Sequence, residues 1–363
     1  MINMVNRNFA KTDVQLIVSQ GHEGHRLMYV RVLVDAAVAR GIAPVVVVMA
    51  GTTKSEEYAI HLSDRVDAFS VEEHVILNMS TISAIEARVA PTRATIFVEG
   101  DFWLKESLRS RAKLRNGGRL LIMRAVGQSK NPVVRVVQTL LKIALREAAK
   151  FRGVRSFVLV GPTQQSHGAF EVPDPAFSQI DEVAASAVND RLSSGRAGFR
   201  WAAVLGVIGE RKNVPLILEA LLLVRSKGIG LVLAGRDDGS QRDLAECIRR
   251  AEQEGVRVER FDGNLSDAVL DAIVAAAGCV VLAHSNEGPS GILAKALYAG
   301  TPIVAAGARS LRRDVKAIGA GASWCSLDRV QLSHAIESAM TGPKPAQREN
   351  QSALFANRLM GDI

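Results

Sequence analysis

Two glycine-bearing loops in the second half of the chain combine fixed positive charge with free backbone N–H groups. GVIGERKN (Gly206 to Asn213) follows an apolar run and opens the helical stretch Val214 to Arg225. That puts Arg211 and Lys212 at a helix start, where anions bind well, although a solvated basic turn has the same composition. The second loop, AHSNEGPSG (Ala283 to Gly291), also leaves an apolar run and leads into Ile292 to Ala299. Its glycines and the Ser290 hydroxyl suit phosphate or sugar hydroxyls, while Ser290 would serve equally as an N-cap with no ligand. Two such loops on one sheet favour a ligand crevice over two unrelated turns.

The first half carries GHEGHR (Gly21 to Arg26) after the apolar run Val14 to Ser19. A surface loop accounts for its polar residues as well as a site does, and neither GxGxxG nor GxxxxGKS occurs anywhere in the chain. A second feature is charge. The net charge is +8, yet Lys105 to Arg155 alone holds 14 Lys/Arg and two acids. Within it, Arg135, Lys142, Arg146 and Lys150 recur at spacings of seven, four and four, so they share one face of a helix over Asn131 to Lys150. Val137, Leu141, Ala144 and Ala148 lie opposite. A cationic face of this kind would attract an anionic membrane surface at about 1 kcal/mol per residue; the plainer reading is a packed helix with a solvated charged side. No zinc finger, RNP motif or aromatic stacking platform accompanies the charge, so nucleic acid is not expected as a partner.

The elements that must position these residues alternate along the chain. Apolar runs at Val14 to Ser19, Pro44 to Met49, Ala94 to Val98, Arg119 to Met123 and Ser156 to Val160 read as buried strands with helices between them. After the polar, proline-bearing stretch Glu171 to Arg200, which reads as a connection, strands recur near Trp201 to Gly206, Gly230 to Ala234, Val256 to Phe261, Cys279 to Ala283 and Pro302 to Ala305. The length of 363 residues and 48% apolar content support two domains. Scarce aromatics, 5%, suit an α/β fold. The pattern predicts domains at 1–185 and 186–342 and a tail, 343–363, whose helix Gln347 to Met360 returns to the first domain. Cys247, Cys279 and Cys325 are far apart and form no CxxC pair, so no metal site or disulfide framework is expected. The N-terminus is polar and no apolar run approaches roughly 20 residues, which predicts a cytoplasmic protein, peripheral on the inner face of the cell membrane if the basic helix binds lipid.

From Trp201 onward the chain resembles the family-four retaining glycosyltransferases of the GT-B fold (glycosyl transferases group 1), through GVIGERKN, the Leu231 to Gly235 strand and turn, FDGNL and SNEGPSGILAKALYAGTPIV. The resemblance implies an α/β protein with two Rossmann-like, doubly wound parallel-sheet domains facing a cleft. The donor, a nucleotide sugar used as co-substrate, would sit mainly on the second domain and the acceptor mainly on the first. It implies no cofactor and no metal. By this resemblance Glu287 contacts donor-sugar hydroxyls, and Gly288, Pro289, Ser290 and Gly291 offer backbone donors to sugar and diphosphate. Lys212 neutralises the diphosphate. Gly21 and Gly24 permit close approach to the diphosphate, His22, Glu23, His25 and Arg26 line the acceptor side, and backbone near Arg236 and Gly263 reads the base.

Three positions depart from the family pattern. Lys295 stands where a second glutamate would hold the ribose, and an ammonium cannot accept those hydroxyl hydrogen bonds. Val207 replaces an arginine, so Arg211 is expected to supply the second positive charge. In the first domain Glu99, Asp101 and Arg124 stand where many relatives carry a histidine. The expected function is transfer of a sugar, with retention, to a polysaccharide, glycolipid or lipid-linked acceptor. A catalytically silent scaffold of a polysaccharide assembly complex and a sugar-nucleotide epimerase are the rivals.

Overall fold

A computed structural model describes residues 13–22, 26–123, 125–127, 129, 131–161, 163, 168–175, 181–193, 199–287 and 290–361. The chain divides into two compact units, one of Met1–Val160, Ser166–Pro175 and Gln351–Ile363, the other of Gly161–Gln165 and Ala176–Asn350.

The first unit runs β1 (Val14–Ser19), α1 (Arg26–Ala39), β2 (Ala43–Met49), α2 (Glu56–His61), β3 (Ser70–His74), α3 (Met79–Val89), β4 (Thr95–Phe97), α4 (Gly100–Arg109), β5 (Gly118–Ile122), α5 (Pro132–Lys150), β6 (Val154–Val160) and β7 (Glu171–Pro173). The strands form one parallel sheet in the order β3-β2-β1-β4-β5-β6-β7. Its central strands are apolar on both faces because helices cover both: Leu16, Ile17, Val18 and Val46 to Val48 are fully buried. The strands missed in the sequence, β3 and β7, are its two edges. SVEEH and EVP lack the apolar run that marks a central strand, and Pro173 is tolerated at an edge, where no neighbour needs its missing N–H. Asn131 caps α5 through its side-chain oxygen, which accepts from the N–H of Val133 at 2.9 Å, and Pro132 follows at the first helical position.

The second unit runs α6 (Glu182–Ser193), β8 (Arg200–Leu205), α7 (Val214–Leu223), β9 (Ile229–Gly235), α8 (Leu244–Gln253), β10 (Val258–Asp262), α9 (Asp267–Ala276), β11 (Cys279–His284), α10 (Gly291–Ala299), β12 (Ile303–Gly307), α11 (Arg309–Ile318), β13 (Ala322–Cys325) and α12 (Arg329–Thr341). Its sheet is again parallel, in the order β10-β9-β8-β11-β12-β13. The stretch read as a bare connection, Glu171 to Arg200, thus contains β7 and α6. Gly235 (φ +138°) sits where a Cβ would collide with the Gly206 carbonyl, so β8 and β9 end in a close approach that only glycine allows.

The last helix, α13 (Ser352–Met360), belongs to the first unit. Phe355, fully buried, stacks on Tyr29 of α1 with ring centroids 5.5 Å apart. The Arg358 guanidinium donates to the carbonyls of Gly168 and Glu171 at 2.6 and 2.7 Å, and Arg40 donates to the Asn357 side-chain oxygen. A buried aromatic at the centre of this docking predicts that Phe355→Ala lowers the stability of the first unit by about 3–5 kcal/mol. Chemical denaturation of the full chain measures it, and a loss below about 1 kcal/mol would show that α13 is only loosely held.

Candidate functional site

In both sheets the chain first winds one way and then restarts on the other side, so β1 and β4, and likewise β8 and β11, are neighbours whose connections leave in opposite directions. The loops after such a pair diverge and leave a crevice at the carboxyl ends of the strands. The sequence motifs fall at these two places.

In the second unit, the loop after β8 is stitched to the loop after β11. The Asn213 side-chain amide donates to the Ala283 carbonyl at 2.7 Å, and the Ser285 N–H donates to the Arg211 carbonyl at 3.0 Å. On the other side, the Ile208 N–H donates to the Arg236 carbonyl at 2.8 Å and the Glu210 N–H to Ser240 Oγ at 2.9 Å. Arg211, Lys212 and Arg236 are therefore carried on one cluster of loops. Arg211 and Arg236 are exposed. Lys212 is buried, and its ammonium donates to the Leu205 carbonyl. Removal from water, and then the charge of Arg211, push its pKa down from 10.5 to about 7.

His284, the last residue of β11, is a member of this cluster that the sequence reading passed over. Burial, followed by the charges of Lys212 and Arg211, lowers its pKa to about 3, so the ring is neutral at physiological pH. Its Nε2 is buried and has no hydrogen-bond partner among the described residues. The signal for it was modest: a polar residue ending an otherwise apolar strand, directly before a glycine-bearing loop. A buried lysine, an exposed guanidinium and a neutral ring nitrogen thus stand close together in an arrangement that would favour an anion.

The segment after β11 has its own commitments. The Glu287 carboxylate accepts from the N–H of Arg309 at 3.0 Å and from the N–H of Ser310 at 2.9 Å, at the first turn of α11. Partial burial alone would raise its pKa, but the Ser310 and Arg309 N–H groups, the Ser310 hydroxyl and Arg313 outweigh burial and lower it. After these three contacts the carboxylate keeps one acceptor position for a further hydroxyl. Ser290 is the N-cap of α10, accepting from the Leu293 N–H at 3.3 Å, with Gly291 buried behind it. Gly263 (φ +98°) forms the turn after β10.

Lys295, expected on the donor side, is 2% exposed. Its ammonium is 2.7 Å from Asp271, itself 1% exposed, and 3.0 Å from Asp267, both on α9. Burial disfavours its charge, yet the two carboxylates more than compensate and raise its pKa. This side chain ties α10 to α9, a role that its spacing from Glu287 did not reveal because Asp271 lies 24 residues away.

In the first unit, Glu99 follows β4 and reaches the loop after β1. It accepts from the Gly21 N–H at 2.6 Å and from the Gln20 N–H, and it pairs with Arg26 at 2.6 Å. A Cβ on Gly21 would meet the ends of the Arg26 and Glu99 side chains, which would then have to shift. Arg26 is thereby spent on Glu99, and His22 is half-buried beside it in sequence. Asp101 pairs instead with Lys142 at 3.2 Å. Glu23, Gly24, His25, Arg124, Gly288 and Pro289 lie outside the described residues.

The basic face of α5 departs from expectation. Arg135, Lys142 and Arg146 lie on the half-buried side, together with the fully buried Ala149, whereas the apolar side faces out. Of the four, Lys150 is exposed, paired with Glu147 at 2.7 Å. The ladder of charge is turned toward its own unit, where Lys142 finds Asp101.

Known proteins share this architecture. Residues 201–340 match the family model of glycosyl transferases group 1. The sucrose-phosphate synthase of Thermosynechococcus elongatus superposes with a TM-score of 0.64 at 14% identity, over 97% of this chain and 94% of that one. Anabaena HepE, solved in complex with UDP, gives 0.62 at 12% identity over 96% and 94%. The fold is GT-B. By sequence, the chain is similar to the glycogen synthase of Mycobacterium tuberculosis, at 31% identity over 170 residues, 46% of this chain and 40% of that protein. The similarity thus spans two fifths of the length of the curated relatives it matches.

Two stability outcomes follow from the site. Lys295→Met strands two carboxylates, one of them fully buried, and should cost about 3–5 kcal/mol; adding Asp271→Leu should recover much of it, and a double variant no more stable than the single one contradicts the pairing. Glu287→Ala removes the carboxylate at the start of α11 and should cost about 1 kcal/mol in the same denaturation experiment.

Proposed function

We propose that the chain transfers a sugar from a nucleoside-diphosphate sugar to a polysaccharide, glycolipid or lipid-linked acceptor with retention of anomeric configuration. The observation that carries this reading is the buried Lys212 beside Arg211 and His284 at the β8–β11 crevice, within the segment matching glycosyl transferases group 1. As the bond between the sugar anomeric carbon and the donor phosphate oxygen breaks, the bonding electrons go to the diphosphate. A buried ammonium with an exposed guanidinium beside it stabilises that developing charge without reorganising. The acceptor oxygen bonds to the anomeric carbon on the face the phosphate leaves, and its proton passes to the departing phosphate oxygen. Net configuration is retained, and no protein nucleophile is required.

Glu287 supports sugar recognition in this reading, because its carboxylate is fixed, ionised and has acceptor capacity left after binding α11. Arg211 supplies the charge that Val207 lacks. With a lipid-linked acceptor the enzyme works peripherally, at the inner face of the cell membrane. The commitment of Lys295 to α9 favours a second reading, a scaffold protein without turnover, since no ribose-binding carboxylate stands at that position.

A panel of nucleotide sugars with the purified protein, scored by calorimetry and by transfer to a polyprenyl-linked acceptor mixture, tests the proposal. Binding with transfer and retained anomer is expected. Binding without turnover favours the scaffold, product from donor alone an epimerase, and no binding to any donor refutes a sugar-nucleotide site. The pKa of Lys212 adds a signature. The free lysine is largely neutral above pH 7, whereas a bound diphosphate favours the ammonium, so donor binding takes up a proton. Affinity should fall up to about tenfold per pH unit above 7. Calorimetry at pH 8 in buffers of different ionisation heat reads this uptake. Lys212→Met should abolish it and cut affinity at least tenfold, and Arg211→Ala should weaken binding too. Unchanged binding in Arg211→Ala would exclude its compensating role.

A further inference from the structure

We infer that the outer face of α5 is a docking surface for an anionic lipid bilayer, entered by apolar side chains and flanked by basic ones. Val133, Val136, Val137, Leu140 and Leu141 are between 56% and 69% exposed, and their spacings place them on one side of the helix. Only Ala149 is fully buried in its 19 residues. The helix cannot roll to hide this stripe, because its other side is engaged: Lys142 with Asp101, and Thr139 accepting from the Gly127 N–H at 2.9 Å. It packs on α4 and β6 through its other side, where Leu145 and Ala149 meet the core, so an apolar stripe about 12 Å long, Val133 to Leu141, is left in water. Patches of this kind on soluble chains mark interaction sites.

Charge selects the occupant. Exposed cations lie on the neighbouring helix: α4, packed on α5, exposes Phe102, Lys105 and Arg109. These lie three and four residues apart, on one helical face. Phe151, just past α5, is 93% exposed. The segment Lys105 to Arg155, with 14 basic residues and two acidic, is +12, so the rest of the chain sums to −4 from the total of +8. A second copy on this face would set two such segments against each other, whereas acidic headgroups neutralise them and acyl chains take up the valines and leucines. Among the described residues no helix is long and apolar enough to cross a membrane, so the contact is a surface one. The inference deepens the proposal of a lipid-linked acceptor, but its test needs no sugar transfer.

Flotation of the full chain with vesicles of phosphatidylcholine alone, or mixed with phosphatidylglycerol, decides it. The wild-type chain should float only with the mixed vesicles, and less so as salt rises. Leu140→Ser with Leu141→Ser should reduce the bound fraction at least tenfold, with an unchanged thermal melt because both side chains are already exposed. Lys105→Glu with Arg109→Glu should reduce it several-fold and flatten the salt dependence. Absence of binding to mixed vesicles, equal binding to neutral ones, or full binding by the serine pair overturns the inference. So does a dimer in sedimentation that the serine pair dissolves. Vesicle binding without transfer counts against the transferase reading alone, and transfer without vesicle binding against this one alone.

Discussion

Parallel pairing throughout both sheets is the constraint on which the rest depends. Strands that all run one way must present their carboxyl ends at one edge. Where the winding reverses, two adjacent loops part and leave backbone groups unoccupied by strand pairing. Among the described residues, two polar clusters stand at such reversals. Glu99 and Gly21 meet across β4 and β1, and Arg211, Lys212 and His284 meet across β8 and β11. The helices serve the same geometry from outside: α10 starts at Ser290, and α11 starts where Glu287 can reach it. The site residues are therefore not independently placed. They are fixed by a hydrogen-bonded set of loops whose positions follow from the strand order.

Within that frame Lys212 is held at a cost. An ammonium removed from water and set near a guanidinium is disfavoured enough that its proton is half lost near neutral pH. Packing of β8 and α7 sustains it, as Val204, Leu205, Val214 and Ile217 are all fully or nearly fully buried. The same unit treats Lys295 in the opposite way, surrounding an equally buried ammonium with two carboxylates and so keeping it charged. One lysine is left wanting an anion and the other already has two. That contrast sets a buried ammonium with no carboxylate beside it among the described residues apart from one that joins two helices, and neither burial nor residue type alone would have done so.

How far the sequence reveals this depends on what each signal encodes. Central strands were legible because burial on both faces demands unbroken apolar runs, as in VQLIVS and APVVVVM. The edge strands β3 and β7 were not, since SVEEH and EVP satisfy a single neighbour and carry ordinary surface residues, whereas the edge strand β10 was. The loops after β8 and β11 were legible through their glycines and helix starts. His284 was obscured because one polar residue ending a strand is unremarkable until its neighbours in space are known, and those include residues more than 70 positions away. Lys295 was legible as an oddity only; its partners lie on another helix.

The long basic helix shows a limit of a different kind. Periodicity establishes that α5 has a charged side and an apolar side, but it does not say which one faces the protein. The usual assignment, apolar inward, follows from the free energy of burial. Here the inward side meets Asp101 on α4 and the Gly127 N–H, and so it carries Lys142 and Thr139 beside Leu145 and Ala149. An inverted helix exposes roughly what a core would have gained, several large aliphatic side chains at once, and a protein that lives wholly in water gains nothing by it. In the inferred docking, an acidic bilayer covers the outer face, and the excess of cations in Lys105 to Arg155 complements its charge. Orientation, which the sequence could not supply, thus turns Lys142 from a member of a binding face into a tie between α5 and α4.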